Sequence, residues 1–264
     1  MSFITANQIT LHYIADDAQA GTPLVFINSL GTNLHLWDAL VPCLFAHLRL
    51  VRYDKRGHGL SDTPPAPYTI RDHSDDLAAL LDRLEIETAI VIGISVGGLI
   101  AMDYAVQDPG RVQALVLCDT APRIGTPEGW SERIQAVREK GLPEMAGTIM
   151  GRWFAPTFVG QSPADYRGFT NMLLQTPVEG YLGTCAALRD ADLYKEVSQI
   201  NVPTLLLCGA QDISTPPDLM REWAGALPNA SFQVIDGAAH LPCVEQPEAT
   251  AAAIKQFLQE VRYA

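Results

Sequence analysis

Short, almost unbroken apolar runs recur along this chain, and longer stretches with apolar residues at helical spacing separate them. The runs are "LVFIN" (24–28), "LRLVRYD" (48–54), "TAIVIG" (88–93), "VQALVLCD" (112–119), "VPTLLLCG" (202–209) and "SFQVID" (231–236). A run apolar on both faces suits a parallel strand buried between layers of helices. Its alternation with helical stretches predicts an α/β fold. "ANQITLHYIA" (6–15) alternates instead, as an antiparallel hairpin with one wet face would at the N-terminal edge of the sheet. "TIRDHSDDLAALLDRLEI" (69–86) has polar residues at its start and Leu at helical intervals, so it predicts an amphipathic helix. Asp72, Asp75 and Asp76 read there as a helix start that favours negative charge. A further helical stretch holding Trp37 and Leu40 is expected before the strand at 48–54.

Between Pro122 and Arg189 the rhythm breaks. No strand signal appears, and helical patches alternate with Gly and Pro. This predicts a mostly helical cap (122–189) inserted into a core made of 1–121 and 190–264, lying over the C-terminal edge of the strands, where ligands bind in open α/β sheets. Trp153 and Phe154 are expected to be core of that cap, with Met145 and Met150 packed around them.

Composition narrows the class. Of 264 residues, 48% are hydrophobic and 18% charged, which fits a folded globular chain and excludes disorder. The formal net charge of −12, with no basic run, argues against a nucleic-acid partner. It also means that an anionic ligand would need a local Arg or Lys. The five cysteines are odd in number and lack CxxC spacing, as expected of reduced core thiols in a cytoplasmic protein. The N-terminal "MSFITANQIT" has no basic and apolar leader pattern, and no apolar stretch is long enough to span a bilayer, so no membrane partner is expected.

"AIVIGISVGGLIAMDYA" (89–105) carries the chemistry. A β-branched strand turns at once into a helix of small residues, and Gly93-Ile94-Ser95-Val96-Gly97 is the corner. Such an elbow forces its central residue into strained backbone angles and holds the hydroxyl at the sheet edge, over the free N–H groups of a helix N-terminus. Serine is a weak nucleophile and needs a base. Of six histidines, His240 in "DGAAHLPCVEQPE" follows the last apolar strand and falls at the same edge. His12 sits in the hairpin, His47 and His73 on helical stretches, and His58 in the tight turn "RGHG", read with Asp54 as structural. The acid that fixes the base's tautomer is expected to be Asp212, with Asp119 and Asp236 as rivals. The Leu30 N–H of "FINSLGTN" and the Val96 N–H are the expected oxyanion donors.

Taken together, these segments resemble the α/β-hydrolase family with a serine nucleophile, in family order over nearly the whole chain. The resemblance implies an eight-stranded, mostly parallel sheet with an N-terminal antiparallel hairpin. Many members carry His-Gly in the oxyanion loop, where this chain has Asn28-Ser29 before Leu30-Gly31. Within the family, "NSLGTN", "GISVGG", "GTPEGWSERI" and "GYLGTCAALRDADL" are similar to the 3-oxoadipate enol-lactonases of the β-ketoadipate pathway. That similarity implies hydrolysis of a small anionic enol-lactone in aromatic breakdown.

In the cap, Trp130 and Arg133 stand three apart, on one face of a helix, and are the expected wall and carboxylate partner for such a substrate. Arg138 and Arg152 are further candidates. No HExxH, P-loop or dinucleotide G-x-G-x-x-G occurs, so no metal or cofactor is expected. Other small-substrate serine hydrolases (carboxylesterase, perhydrolase, carbon–carbon hydrolase) and a non-catalytic hydrolase-like receptor stay open at this point.

Overall fold

The structure is a computed structural model, and it describes residues 1–15, 21–44 and 48–263. His47 lies outside the described residues. The N-terminal hairpin pairs β1 (Ser2–Ala6) with β2 (Ile9–Ala15), antiparallel, through a turn in which Asn7 and Gln8 both take positive φ. That is the turn geometry whose twist matches the two strands it joins. β2 continues the sheet by an antiparallel pairing with β4 (Leu50–Tyr53). From there β3 (Leu24–Ile27), β5 (Ala89–Ile94), β6 (Val112–Cys118), β7 (Thr204–Gly209) and β8 (Ala230–Ile235) all pair in parallel. The sheet of eight strands has the order β1-β2-β4-β3-β5-β6-β7-β8.

Every residue of β3, β5 and β7 is buried, as strands covered on both faces must be. β8 differs from its reading as a compact apolar run. It is the edge strand, and its burial alternates along its length. The stretch around Trp37 and Leu40 also departs from expectation, because it forms two short 3-10 turns, Leu34–Trp37 and Val41–Cys43, the second with Pro at its start.

Helix α1 (Ile70–Arg83) begins at a capping box in which Thr69 and Asp72 satisfy each other's backbone N–H. Asp76, expected as part of a charged helix start, is instead buried and takes a bidentate ion pair from Arg56 at 2.6 and 2.7 Å. Helix α2 (Val96–Gln107) follows β5 with no intervening loop and is buried from Val96 to Ala105.

Between β6 and β7 lie four helices: α3 (Pro127–Trp153), α4 (Pro156–Gln161), α5 (Pro163–Gln175) and α6 (Val178–Asp190). α3 is kinked at Gly141, where φ is +77°. Phe154 stacks on Phe158 with ring centroids 4.6 Å apart and meets Tyr166 and Phe169, so these helices have an aromatic core of their own. After β7 come α7 (Pro217–Ala224), β8, a short α8 (Pro242–Glu245) and α9 (Pro247–Glu260). Among the described residues no helix is long and apolar enough to cross a membrane. Four of the five cysteines are buried, and all five are free.

The strand order explains where a site can form. The chain runs outward from β3 to β4, then returns past β3 to β5 and continues the other way. The loops leaving β3 and β5 therefore part in opposite directions and open a crevice at the C-terminal ends of these two strands. Ile27 pairs with Gly93, so the residues that follow each of them meet at that crevice.

Candidate active site

Ser95 stands at the crevice on a strained elbow, with φ +58° and ψ −122°. Two glycines make the strain affordable. A Cβ on Gly93 would lie 2.2 Å from the Gly97 carbonyl oxygen, and one on Gly97 would lie 2.2 Å from that of Ile27. No larger residue fits at either place, which gives the G-x-S-x-G spacing its steric reason. Thr120 Oγ1 donates to the Ser95 carbonyl at 2.7 Å and pins the corner from beneath.

His240 and Asp212 come together after β8 and β7. His240 Nδ1 lies 2.8 Å from Asp212 Oδ2, with both side chains buried. Asp212 also accepts from Thr215 Oγ1 at 2.6 Å and from Ser214 N at 2.7 Å. Burial alone would push this carboxyl up, but His240 and these hydrogen bonds outweigh it and hold it at about 2. An ionised Asp212 is placed to accept a proton from Nδ1, the arrangement that orients the ring for base chemistry at Nε2. The loop that carries His240 is tied to α3: its N–H donates to the Trp153 carbonyl at 3.1 Å. Glu245 fastens the same loop by accepting from Ala239 N and Ala155 N, each at 2.8 Å. Nothing in the sequence pattern singles out Glu245 for this bracing, because both its partners are backbone groups.

The rival acid has the opposite environment. Asp119 is fully buried and accepts from Gly209 N at 2.8 Å, and among the described residues no group lies in hydrogen-bonding geometry to its Oδ2. Burial, then the charge on Asp212, pushes its pKa well above the ordinary carboxylate value and so favours its protonated form. Two neighbouring carboxyls driven apart in this way take different roles, and Asp212 is the one that faces the histidine. Asp236 lies in the turn after β8. Ligand atoms of Asp119, Cys208 and Asp212 fall within 4.8 Å of one another, the arrangement among the described residues best placed to take a cation. Burial favours the protonated forms of the first two, however, and Asp212 is already committed to His240.

Ser95 and His240 both line a cavity of about 190 Å³, below the roughly 300–1,000 Å³ of ordinary ligand clefts. Such a volume suits a small substrate. Ser29 and Leu30 close one side of it. Neither the Leu30 nor the Val96 N–H donates to another group among the described residues. Helix α3 brings Trp130 and Arg133 into the lining of the same cavity. The Arg133 guanidinium carbon lies 6.0 Å from the Trp130 ring centroid, and Nη1 donates to Tyr181 Oη at 3.0 Å. Trp130 is fixed in turn by its ring N–H, which donates to the Ile124 carbonyl at 2.6 Å. Arg152 and Trp153 also line the cavity, whereas Arg138 does not. Tyr181 went unread in the sequence, because its partner stands 48 positions away on another helix.

The alpha/beta hydrolase fold family model matches residues 22–247. The chain is 37% identical over 257 residues to 3-oxoadipate enol-lactonase 2 of Acinetobacter baylyi, covering 97% of this chain and 96% of that protein. It is 33% identical over 242 residues to 3-oxoadipate enol-lactonase 1 of the same organism, covering 90% and 89%. Among solved structures, the enol-lactonase from Burkholderia xenovorans LB400 superposes with a TM-score of 0.95 at 34% identity, over 98% of this chain and all of that one.

Proposed function

The chain belongs to the α/β-hydrolase family, and from that premise we propose that it hydrolyses a small carboxylate-bearing enol-lactone, 3-oxoadipate enol-lactone, through an acyl-enzyme on Ser95. The observation that carries the reading is the 2.8 Å pair of His240 and an ionised Asp212, facing the cavity that Ser95 shares. The enol-lactonase relatives support the substrate, as does a cation set among rings in the cavity lining. The cytoplasm of an organism degrading aromatic compounds is the setting this substrate implies.

In the proposed cycle, His240 Nε2 takes the Ser95 proton as the hydroxyl oxygen attacks the lactone carbonyl. The Leu30 and Val96 N–H groups hold the oxyanion, each donor worth on the order of 3 kcal/mol in the transition state. The ring C–O bond then breaks, and the enol oxygen, still tethered to the acyl chain, receives the proton from His240. Tautomerisation turns the enol into a ketone. Water, deprotonated by His240, attacks the acyl carbon and frees the carboxylate and the Ser95 hydroxyl. Arg133, oriented by Tyr181 and Trp130, holds the substrate's carboxylate throughout.

Steady-state hydrolysis of the enol-lactone and of an uncharged aryl ester tests this reading. The lactone is expected to have the higher kcat/KM by at least about tenfold, the advantage a charged hydrogen bond supplies. Equal or faster turnover of the neutral ester would replace the lactonase with a general carboxylesterase.

A further inference from the structure

The turn after β4, "DKRGHG" (54–59), has the composition of a solvent-facing corner, yet Asp54, Lys55, Arg56 and His58 are all buried, Lys55 with 1% exposure. Among the described residues the Lys55 amine has one hydrogen-bond partner, the Ser29 carbonyl oxygen at 2.6 Å. Burial pushes the ammonium pKa well below its ordinary range, against the pull of Asp54. A buried amino group whose N–H donors meet a single acceptor costs more in this place than an apolar side chain of similar length.

The peptide that the lysine holds accounts for its presence. The Ser29 carbonyl and the Leu30 N–H belong to one peptide unit, and in a trans peptide they point in opposite directions. Thr32 Oγ1 donates to the same carbonyl at 2.9 Å, and Thr32 N does so at 3.3 Å. With the oxygen tied into the interior, the Leu30 N–H is turned the other way, where Ser29 and Leu30 line the cavity. The next N–H along, that of Gly31, is consumed by His58 Nε2 at 3.0 Å. The Leu34 N–H goes to Asp54 Oδ1 at 2.7 Å. The loop is therefore held by the buried turn at three points, and among the described residues the Leu30 N–H has no partner of its own and is free to donate. A donor on a carbonyl also polarises its peptide and strengthens the N–H at the other end.

We propose that Lys55 is a positioning residue for oxyanion stabilisation: together with Thr32 it clamps the Ser29 carbonyl and so aims and strengthens the Leu30 N–H. This rests on the serine-hydrolase reading above, but not on the identity of the substrate.

The test compares Lys55→Met, Thr32→Val and Ser95→Ala on phenyl acetate and on the enol-lactone. It adds the inhibition constant of a trifluoromethyl ketone, whose adduct carries the oxyanion, and that of the product acid. Loss of one oxyanion donor costs about 100- to 1,000-fold in kcat, so misaiming it in Lys55→Met is expected to lower kcat about 10- to 100-fold with KM within about twofold. The ketone should weaken by the same factor while the product acid binds as before. The Lys55→Met melting temperature should be unchanged or higher, as an under-bonded buried polar group replaced by an apolar one allows. Thr32→Val, which leaves the lysine in place, should lose roughly three- to tenfold in kcat, the worth of one neutral hydrogen bond. It decides the matter if Lys55→Met does not fold. An unchanged kcat in whichever variant decides, or equal weakening of ketone and product acid, overturns the clamp. Turnover persisting in Ser95→Ala would instead remove the hydrolase reading beneath it.

Discussion

The two walls of the cavity are built on different principles. On the sheet side, the reacting groups are held by backbone geometry and buried bonds: a positive-φ elbow, an ionised carboxylate with three donors, and a loop tied down from beneath. On the side of α3 and α6, the cation and the indole are half-buried side chains each held by one hydrogen bond: Arg133 by the buried Tyr181, and Trp130 by a backbone carbonyl. The difference teaches a division of labour. Under the proposed function, the rigid rim would fix what reaction can occur, and the side-chain wall would select what it occurs on. Substitutions on the rim should therefore act on kcat, and those on the wall should act on KM and on discrimination between substrates.

The largest break in that comparison comes from the paired carboxyls. Asp212→Asn is expected to lower kcat by on the order of 10,000-fold, because the histidine loses the partner that sets its tautomer. Asp119→Asn replaces a carboxyl favoured in its protonated form with a neutral amide of the same shape, so kcat should stay within about threefold. Stopped-flow or steady-state rates on both variants check this, and a reversed order would assign the acid to Asp119. On the side-chain wall, Arg133→Met should raise KM for the carboxylate-bearing lactone roughly 10- to 100-fold, while phenyl acetate turnover stays unchanged. A fall in kcat on both substrates would place Arg133 with the reacting groups and erase the division.

The smallest effect concerns stability beneath the rim. Burial, then the neighbouring Lys55 and Arg56, pushes His73 well below its ordinary range, so it is neutral when folded and takes up a proton on unfolding. Its folded pKa is depressed, the unfolded state binds more protons in acid, and stability is lost as pH falls below about 6.5. Relative to His73→Gln, the parent should lose about 1 kcal/mol between pH 6.5 and 5.5, read from urea midpoints. A pH-independent difference would mean that folding leaves the His73 pKa unchanged, and a gain in stability toward acid would mean that His73 is charged in the fold.

What was legible in the sequence follows the same division. The elbow could be read because steric crowding at Ser95 demands glycine at 93 and 97, a local requirement written within five residues. The meeting of Asp212 and His240 could be read because each follows an apolar strand whose C-terminal end falls at one edge. The side-chain wall was half legible. Helical spacing aligned Trp130 with Arg133, but Tyr181 arrives from another helix by tertiary packing. Least legible was the buried turn at 54–59. Its charges look solvated in sequence, and only the fold shows Lys55 and His58 reaching the oxyanion loop. The 3-10 turns near Trp37 were missed for a similar reason, since a helical pattern of apolar residues does not reveal how short a helix will be.

The most direct test of the central claim is a rapid-quench mass measurement during turnover of the enol-lactone, followed by peptide mapping. The account predicts a transient adduct on Ser95 equal to the whole mass of the lactone, because the enol oxygen never leaves the acyl chain, and no adduct or turnover in Ser95→Ala. Full hydrolysis by Ser95→Ala, or an adduct on any other residue, would contradict it.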